Sequence, residues 1–155
     1  MPEPAAYAPA GAGAPEIILA FDYGRRRIGV ACGDTVSRTA APLGGVAVGT
    51  GGPRWDAIDS LMRDWRPANV VVGLPYNVDG SESALAENAR GFAADLAERY
   101  LLPVQLVDER YSSLEAATRL RAAREAGIRK RRVAKTDVDA AAACIILERW
   151  LTEKS

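Results

Sequence analysis

The sequence predicts an α/β fold in which helices cover both faces of a mixed sheet. Short apolar runs at 16–22, 27–33 and 69–73 have the length and composition of buried strands. Residues 85–100 repeat apolar side chains every three to four positions, as an amphipathic helix does. Because strands and helices alternate after the first three strands, part of the sheet is expected to be parallel.

The first two strands are predicted to form a hairpin. The run 16–22 ends on Asp22, and the chain then turns at Gly24 before returning as the strand 27–33. A third, weaker strand is expected at 43–48. Asp22 is the notable residue here, because a carboxylate next to an apolar run is costly unless something pairs with it.

A helix is predicted after the third strand. The sequence G-T-G-G-P at 49–53 interrupts the chain, and Pro53 suits the first position of a helix. From there Trp55 and Trp65 follow helical spacing until the helix ends before Pro67. We interpret both tryptophans as core anchors.

The second half of the chain is predicted to alternate strands and helices. The strand 69–73 is continuously apolar, as is typical of parallel pairing. The remaining predicted elements are a helix at 85–100, a strand at 103–107, a helix at 113–126 and a last helix at 137–151.

Composition limits the chemistry open to the chain. The 155 residues suffice for one domain with a real core, and 20 basic residues balance 20 acidic ones. There is no histidine, which excludes Ser-His-Asp and Cys-His catalysis as well as histidine-containing zinc sites. Catalysis would therefore need carboxylates, lysine or a metal ion with oxygen ligands, such as Mg²⁺ or Mn²⁺.

Compartment and domain boundaries follow from local composition. Cys32 and Cys144 lie in separate apolar runs, and we expect buried free thiols in a reducing compartment. Residues 1–15 are rich in Ala, Pro and Gly, so we expect a disordered tail before a single domain at 16–155. No apolar stretch is long enough to span a membrane, and a cytoplasmic location is expected.

Acidic residues fall at the ends of predicted strands and at the start of the last helix. Asp22 ends the first strand, Asp108 and Glu109 follow the strand at 103–107, and Asp137 and Asp139 open the last helix. Functional groups in open α/β sheets gather where strand ends meet loops and helix starts. Three such carboxylates would suit metal-assisted hydrolysis of a phosphodiester, in which metal-bound water replaces a side-chain base.

Each acid also has a structural explanation. Asp139 follows Thr136 with the spacing of a capping box, and acids favour the first turn of a helix. Glu109 and Arg110 fit a surface turn, and Asp22 fits an ion pair with a nearby arginine. The residues alone leave both interpretations open.

Two local basic clusters stand out in the neutral chain. As charge runs, both fit solvated loops; if they flank one site, both fit a rim that binds phosphates. The candidate residues for contact with nucleic acid are Arg25, Arg26, Arg27, Arg129, Lys130, Arg131, Arg132 and Lys135.

Four segments follow one another along the chain: F-D-Y-G-R-R-R-I-G-V-A, V-V-V-G-L-P-Y-N-V-D-G, V-D-E-R-Y-S-S-L-E-A and K-T-D-V-D-A-A-A-A-C-I-I-L-E. In this order, and over about residues 16–151, they resemble the signature blocks of the YqgF/RuvX family. The resemblance implies a ribonuclease H-like fold that holds Mg²⁺ or Mn²⁺ with acidic residues. By motif, it assigns Asp22, Glu109 and Asp139 to catalysis and metal binding.

The third and second blocks add further expectations. Arg110 and Asn77 match the family pattern and are expected near the nucleic acid, with Gly80 shaping the rim. Ser113 stands where the family usually has threonine, so this chain lacks the threonine methyl group at that position.

The resemblance implies a nuclease acting on structured RNA, with maturation of the 5′ end of 16S rRNA precursor as its task. Two alternatives stay open: a DNA resolvase that cuts Holliday junctions or other branched DNA, and a weakly catalytic ribosome-assembly factor. The sequence does not choose between a monomer and a homodimer. An ATPase of the sugar-kinase type is disfavoured, because that fold needs two such domains and no phosphate loop is present.

Overall fold

The structure is a computed structural model that describes residues 15–74, 85–108 and 135–153. It contains six strands in these ranges: β1 (Ile17–Tyr23), β2 (Arg27–Asp34), β3 (Ala40–Gly49), β4 (Gly52–Pro53), β5 (Asn69–Leu74) and β6 (Val104–Asp108). The helices in these ranges are α1 (Trp55–Trp65), α2 (Ala86–Tyr100) and α3 (Lys135–Glu153).

The strands form one mixed sheet in the order β4-β3-β2-β1-β5-β6. β1 lies inside the sheet, where it pairs antiparallel with β2 and parallel with β5. β6 continues the parallel half beyond β5, and β3 and β4 continue the antiparallel half. The predicted mixed sheet is confirmed, and β1 is the strand at which its two halves meet.

Helices cover both faces of the sheet, as predicted. On one face, α1 and α2 bury side chains such as Ile58 and Phe92 against alternate residues of β1, β2 and β5. On the other face, α3 packs its apolar stripe against the intervening strand residues. In β1 the alternation is regular, since Leu19 and Phe21 face the first layer and Ile18 and Ala20 face α3.

Two details of the predicted first helix are wrong. Pro53 belongs to the two-residue strand β4, and the helix begins at Trp55. Proline is tolerated there because β4 lies at the edge of the sheet. Trp65 is 37% exposed at the last position of α1, so it is not a core anchor, whereas Trp55 packs against the core.

Other sequence predictions have clear outcomes. The third strand is longer than expected, and α3 begins at Lys135, so Thr136 lies inside its first turn. Cys32 and Cys144 are buried free thiols, as predicted. The expected tail at 1–15 (except Pro15) and the expected helix at 113–126 lie outside the described residues. Among the helices described, none has the length and apolar character needed to cross a bilayer.

Candidate active site at the end of the central strand

Asp22 lies near the carboxyl end of β1, half-buried, with glycine as its partner on both neighbouring strands. It is in register with Gly29 of β2 and with Gly73 of β5. Because side chains alternate along a strand, Asp22 belongs to the face that α3 covers. The carboxylate therefore stands on a part of the sheet where its cross-strand neighbours contribute no side chain.

The residues on either side of Asp22 anchor it from the opposite face. Phe21 is fully buried and meets Phe92 of α2 edge-on, with ring centroids 5.6 Å apart. Tyr23 packs on the same ring at 5.2 Å. Aromatic pairs at these distances add to the stability that burial alone provides. The F-D-Y sequence thus fixes the strand with two rings and presents the carboxylate on the other side.

The turn after Asp22 is tight, and it carries exposed arginines. A Cβ added to Gly24 would lie 2.5 Å from the carbonyl oxygen of Arg27, so only glycine fits this turn. Arg25 and Arg26 are exposed there. The carbonyl oxygen of Arg26 accepts a hydrogen bond from the Val48 N–H at 2.8 Å, which ties the turn to β3. Two cationic side chains therefore start from a fixed loop at the same end of the sheet as Asp22.

The rise per residue of α3 and of β1 predicts the level of the Asp139 backbone along the sheet. A Cβ on Gly33, which is in register with Ile18, would lie 3.0 Å from a terminal carbon of Leu147. From Leu147 back to Asp139, eight residues of helix cover about 12 Å. Moving forward from Ile18 to Asp22 covers about 13 Å. The last turns of α3 lie at the start of β1, so we expect both paths to lead to the end of the sheet that holds Asp22.

The third predicted acid follows β6. Asp108 is the last residue of that strand and is in register with Leu74, the last residue of β5. β1, β5 and β6 are parallel, so their carboxyl ends share one edge of the sheet. Glu109 is the next residue in the sequence and lies outside the described residues.

The structure therefore brings only some of the predicted residues together. Asp22, Arg25, Arg26 and Arg27 lie at the carboxyl end of β1, and the backbones of Lys135 and Asp139 lie in the first turns of α3. The predicted residues outside the described ranges are Asn77, Gly80, Glu109, Arg110, Arg129, Lys130, Arg131 and Arg132. Among the described side chains, which exclude those of Glu109 and Asp139, no group of three metal-ligating residues occurs.

Sequence reasoning missed the two glycines beside Asp22. Gly29 lies in I-G-V and Gly73 in V-V-G, each inside an apolar strand where glycine is unfavourable. A glycine within a strand often marks a place where a ligand or another backbone comes close. That signal is in the sequence, but relating both positions to Asp22 requires the strand register.

A second charged cluster lies on the other side of the sheet, between α1 and α2. Asp59 accepts two hydrogen bonds from the Arg99 guanidinium, at 3.1 and 2.9 Å, and one from the Tyr100 hydroxyl. The Arg99 hydrogen bonds, followed by that of Tyr100, lower the pKa of Asp59 to about 2. Arg99 also lies over the Trp55 ring, 5.0 Å from its centroid. The cluster links the two helices.

The fold is ribonuclease H-like, and it is similar to the fold of RuvC. Thermus thermophilus RuvC in complex with a Holliday junction substrate matches with a TM-score of 0.53 and 18% identity, covering 90% of this chain and 95% of that one. A second T. thermophilus RuvC structure matches with a TM-score of 0.51 and 16% identity, covering 89% and 95%.

Sequence comparison gives the family. The chain belongs to the RuvX family, described as Holliday junction resolvase, whose sequence model matches residues 16–153. A protein of Xylella fastidiosa strain M23 named "Putative pre-16S rRNA nuclease" is 45% identical over 153 residues, which cover 99% of this chain and 95% of the relative. A Xanthomonas oryzae pv. oryzae protein of the same name is 44% identical over 151 residues, covering 97% and 94%.

These matches confirm three predictions. The chain is a member of the YqgF/RuvX family, its fold is ribonuclease H-like, and it is an enzyme of the nuclease class, for which its relatives are named.

Proposed function

We propose that this protein is a nuclease that hydrolyses phosphodiester bonds in structured RNA, and that its task is maturation of the 5′ end of 16S rRNA precursor. The observation that carries the proposal is the position of Asp22. It combines a strand-end carboxylate, glycine on both sides and an arginine-bearing turn, in a chain 45% identical to a relative named for this activity.

Asp22, Glu109 and Asp139 are the proposed catalytic residues. Asp22 belongs to the face beneath α3, and we expect the backbone of Asp139 at its level along the sheet, from the approach of Leu147 to Gly33 and the rise of the helix. Glu109 directly follows β6, whose end shares the edge at which β1 ends. The three carboxylates and a phosphate are all negatively charged, so they can lie close together only if cations offset that charge. Histidine cannot supply such a cation, because the chain contains none.

The donor set fits a divalent ion, Mg²⁺ or Mn²⁺. Carboxylate oxygens are the ligands these ions prefer, and the glycines in register with Asp22 place no side chain beside its carboxylate. When bound, such an ion lowers the pKa of its water and neutralises charge on the scissile phosphate. Asp22, Glu109 and Asp139 would hold it.

The basic residues are proposed to bind and orient the nucleic acid backbone. Arg25 and Arg26 project from a turn that the Val48 hydrogen bond holds in place. Cationic side chains at this end of the sheet would position a phosphate beside Asp22 without selecting its sequence. The same role is proposed for Arg27, Asn77, Arg110, Arg129, Lys130, Arg131, Arg132 and Lys135.

A DNA junction resolvase is the second candidate, favoured by the description of the matching family model. Such an enzyme would act on branched DNA as a homodimer that cuts paired strands, whereas cutting one RNA strand requires only a monomer. We favour RNA because relatives covering nearly the whole chain are named for pre-16S rRNA. A cytoplasmic location is proposed on the same ground.

The test is a side-by-side cleavage assay on a 16S rRNA precursor leader and a four-way DNA junction. Both substrates are incubated with the full chain in Mg²⁺, in Mn²⁺ and in excess EDTA. We expect cleavage of the RNA with either ion and none in EDTA. The Asp22→Asn variant, purified in parallel, reveals any contaminating nuclease. Cleavage of the junction alone would replace RNA with DNA, and cleavage of neither would contradict both candidates.

A further inference from the structure

A cavity of about 380 Å³ opens at the end of the sheet opposite Asp22, beside the last turns of α3. Polar residues from four neighbouring strands or their ends line it. Thr35 directly follows β2, Glu16 precedes β1, Asn69 begins β5 and Gln105 lies in β6. These strands are adjacent in the order β2-β1-β5-β6, and the four residues form one oblique polar row across them, in which Asn69 is in register with Ile18 and Gln105 with Val71.

The polar row contrasts with the rest of this face. Two residues further along β1, β5 and β6, the same face carries the buried side chains of Ile18, Val71 and Val107. The row itself is half-buried. Within the described ranges, the side chains of Glu16, Asn69 and Gln105 make no hydrogen bond. Half-buried amide and carboxylate groups usually find partners, so the row has capacity to bind a ligand.

The turn between β2 and β3 holds Arg38 at the rim of this cavity. The Asp34 carboxylate accepts hydrogen bonds from the Val36 and Ser37 N–H groups at 2.9 and 2.7 Å, and from the Ser37 hydroxyl at 2.9 Å. Arg38 has φ of 58°, a left-handed conformation that is unfavourable for arginine. A fixed turn with local strain at a cavity rim is the kind of feature that occurs at ligand sites.

The charge and the hydrogen-bonding groups of the lining residues indicate which class of ligand the cavity would bind. One carboxylate, Glu16, and one guanidinium, Arg38, roughly cancel in charge, which disfavours both a bare phosphate and a cation. The two amides each offer a donor and an acceptor, and the buried Trp150 and Leu151 supply an apolar wall. A flat, neutral ring with donors and acceptors along its edge matches this set. We propose that the cavity binds one unstacked nucleobase.

The distance to Asp22 gives this site a role apart from cleavage. Glu16 precedes Asp22 by six positions in the sequence, which is about 20 Å along the strand. That length corresponds to roughly six nucleotides of a stacked strand. A base held here would anchor RNA well away from the scissile phosphate, as proteins do when they read unstacked bases. This anchoring role rests on the proposed function, whereas nucleobase binding itself does not.

The experiment measures binding in EDTA, where cleavage plays no part. Isothermal titration of the full chain compares AMP, GMP, CMP, UMP and inorganic phosphate. We expect at least one nucleotide to bind about 10-fold tighter than the others, because edge hydrogen bonds discriminate between bases. Inorganic phosphate should bind far more weakly. Binding of phosphate equal to that of every nucleotide, or binding of none of them, would overturn the proposal.

Substitutions distinguish a loss of nucleotide binding at the cavity from a loss of protein stability. Gln105→Leu and Asn69→Leu should each weaken the preferred nucleotide about 10-fold. Arg38→Gly should weaken it at least about threefold while thermal stability holds or rises, because glycine accepts the left-handed conformation. Arg66→Gly is the matched control, since Arg66 has φ of 48° at the end of α1, outside the pocket. Unchanged binding in the two leucine variants would refute the site.

Short single-stranded RNA identifies the source of the base. If an oligonucleotide rich in the preferred base binds the wild type and loses about 10-fold with Gln105→Leu, the base belongs to an RNA strand. If only the free nucleotide responds to that substitution, the cavity is a site for a free nucleotide. The assay thus stays informative even if the RNA-cleavage proposal fails.

Discussion

Asp22 and Asp59 are both half-buried aspartates beside the same sheet, on opposite faces, and their surroundings differ. Asp59 is held by two long side chains of α2, Arg99 and Tyr100, so its carboxylate serves to link α1 with α2. Asp22 has Gly29 and Gly73 as strand neighbours. The difference teaches that the setting of a carboxylate, and not its presence, distinguishes a structural from a candidate catalytic role.

The two faces differ in the same way. The α1/α2 face combines an aromatic core around Phe92 with the Asp59 cluster at its surface. The α3 face buries small and aliphatic side chains together with Trp150, and among the described residues it carries Asp22 and the polar row near Trp150. Both faces hold the fold together, and the candidate site at Asp22 lies on the α3 face.

The largest expected effect comes from replacing each of the two aspartates, in separate variants, by asparagine. Asp22→Asn removes a charged metal ligand and should reduce RNA cleavage at least ~100-fold, with the melting temperature nearly unchanged. Asp59→Asn should retain cleavage within about twofold while lowering stability by about 1 kcal/mol. Cleavage kinetics and thermal unfolding of both variants check this. Loss of activity in both or in neither would contradict the assignment of roles.

The next largest effect is a change in stability when one glycine on each face of the sheet is replaced by alanine. Gly33→Ala should destabilise the protein by about 2 kcal/mol, because the new Cβ would lie 2.5 Å from the Thr39 carbonyl oxygen and 3.0 Å from Leu147. Gly91→Ala is the matched change in α2, where nothing lies within 4 Å. It should stabilise by about 0.5–1 kcal/mol through helix propensity. Urea unfolding measures both, and equal effects would show that α3 is not tightly seated on β2.

A smaller effect follows from the lowered pKa of Asp59. Its pKa of about 2 lies below the ~3.9 of an unfolded aspartate, so its stabilisation is present above pH ~4. That stabilisation is lost as the pH falls toward about 2. Because the side chain is 33% exposed, we expect only about 1 kcal/mol. Unfolding free energies of wild type and Asp59→Asn should converge between pH 4 and 2; a constant gap would contradict the link.

The smallest effect is expected from the arginines of the first turn. In an Asp22→Asn background, replacing Arg25 and Arg26 by alanine should weaken RNA binding a few-fold. It should also reduce the salt slope by about 1.4, since each phosphate contact on a single strand contributes ~0.7. Replacing Arg63 on α1 should leave the slope unchanged. Filter binding from 50 to 300 mM salt tests this, and an unaltered slope would remove the turn from the nucleic-acid surface.

Much of the fold could be predicted because strand and helix signals are local. Apolar runs marked β1, β2, β5 and β6, and periodicity marked α2. Pro53 and Trp65 were misread because their roles depend on neighbours that the local sequence does not specify. Pro53 pairs with Val48 in β4, and the last residue of α1 faces water.

For the candidate site too, the sequence determined some features and the tertiary structure determined others. By itself the sequence determined that catalysis cannot use histidine, that acids follow two strands and open the last helix, and which family the chain resembles. These conclusions depend on residue identity and order alone. Tertiary structure decided that glycines flank Asp22, that Asp59 is a link between helices, and that a polar row lines a cavity at the opposite end of the sheet. The physical reason is that register, helix direction and long-range pairing join residues far apart in the chain.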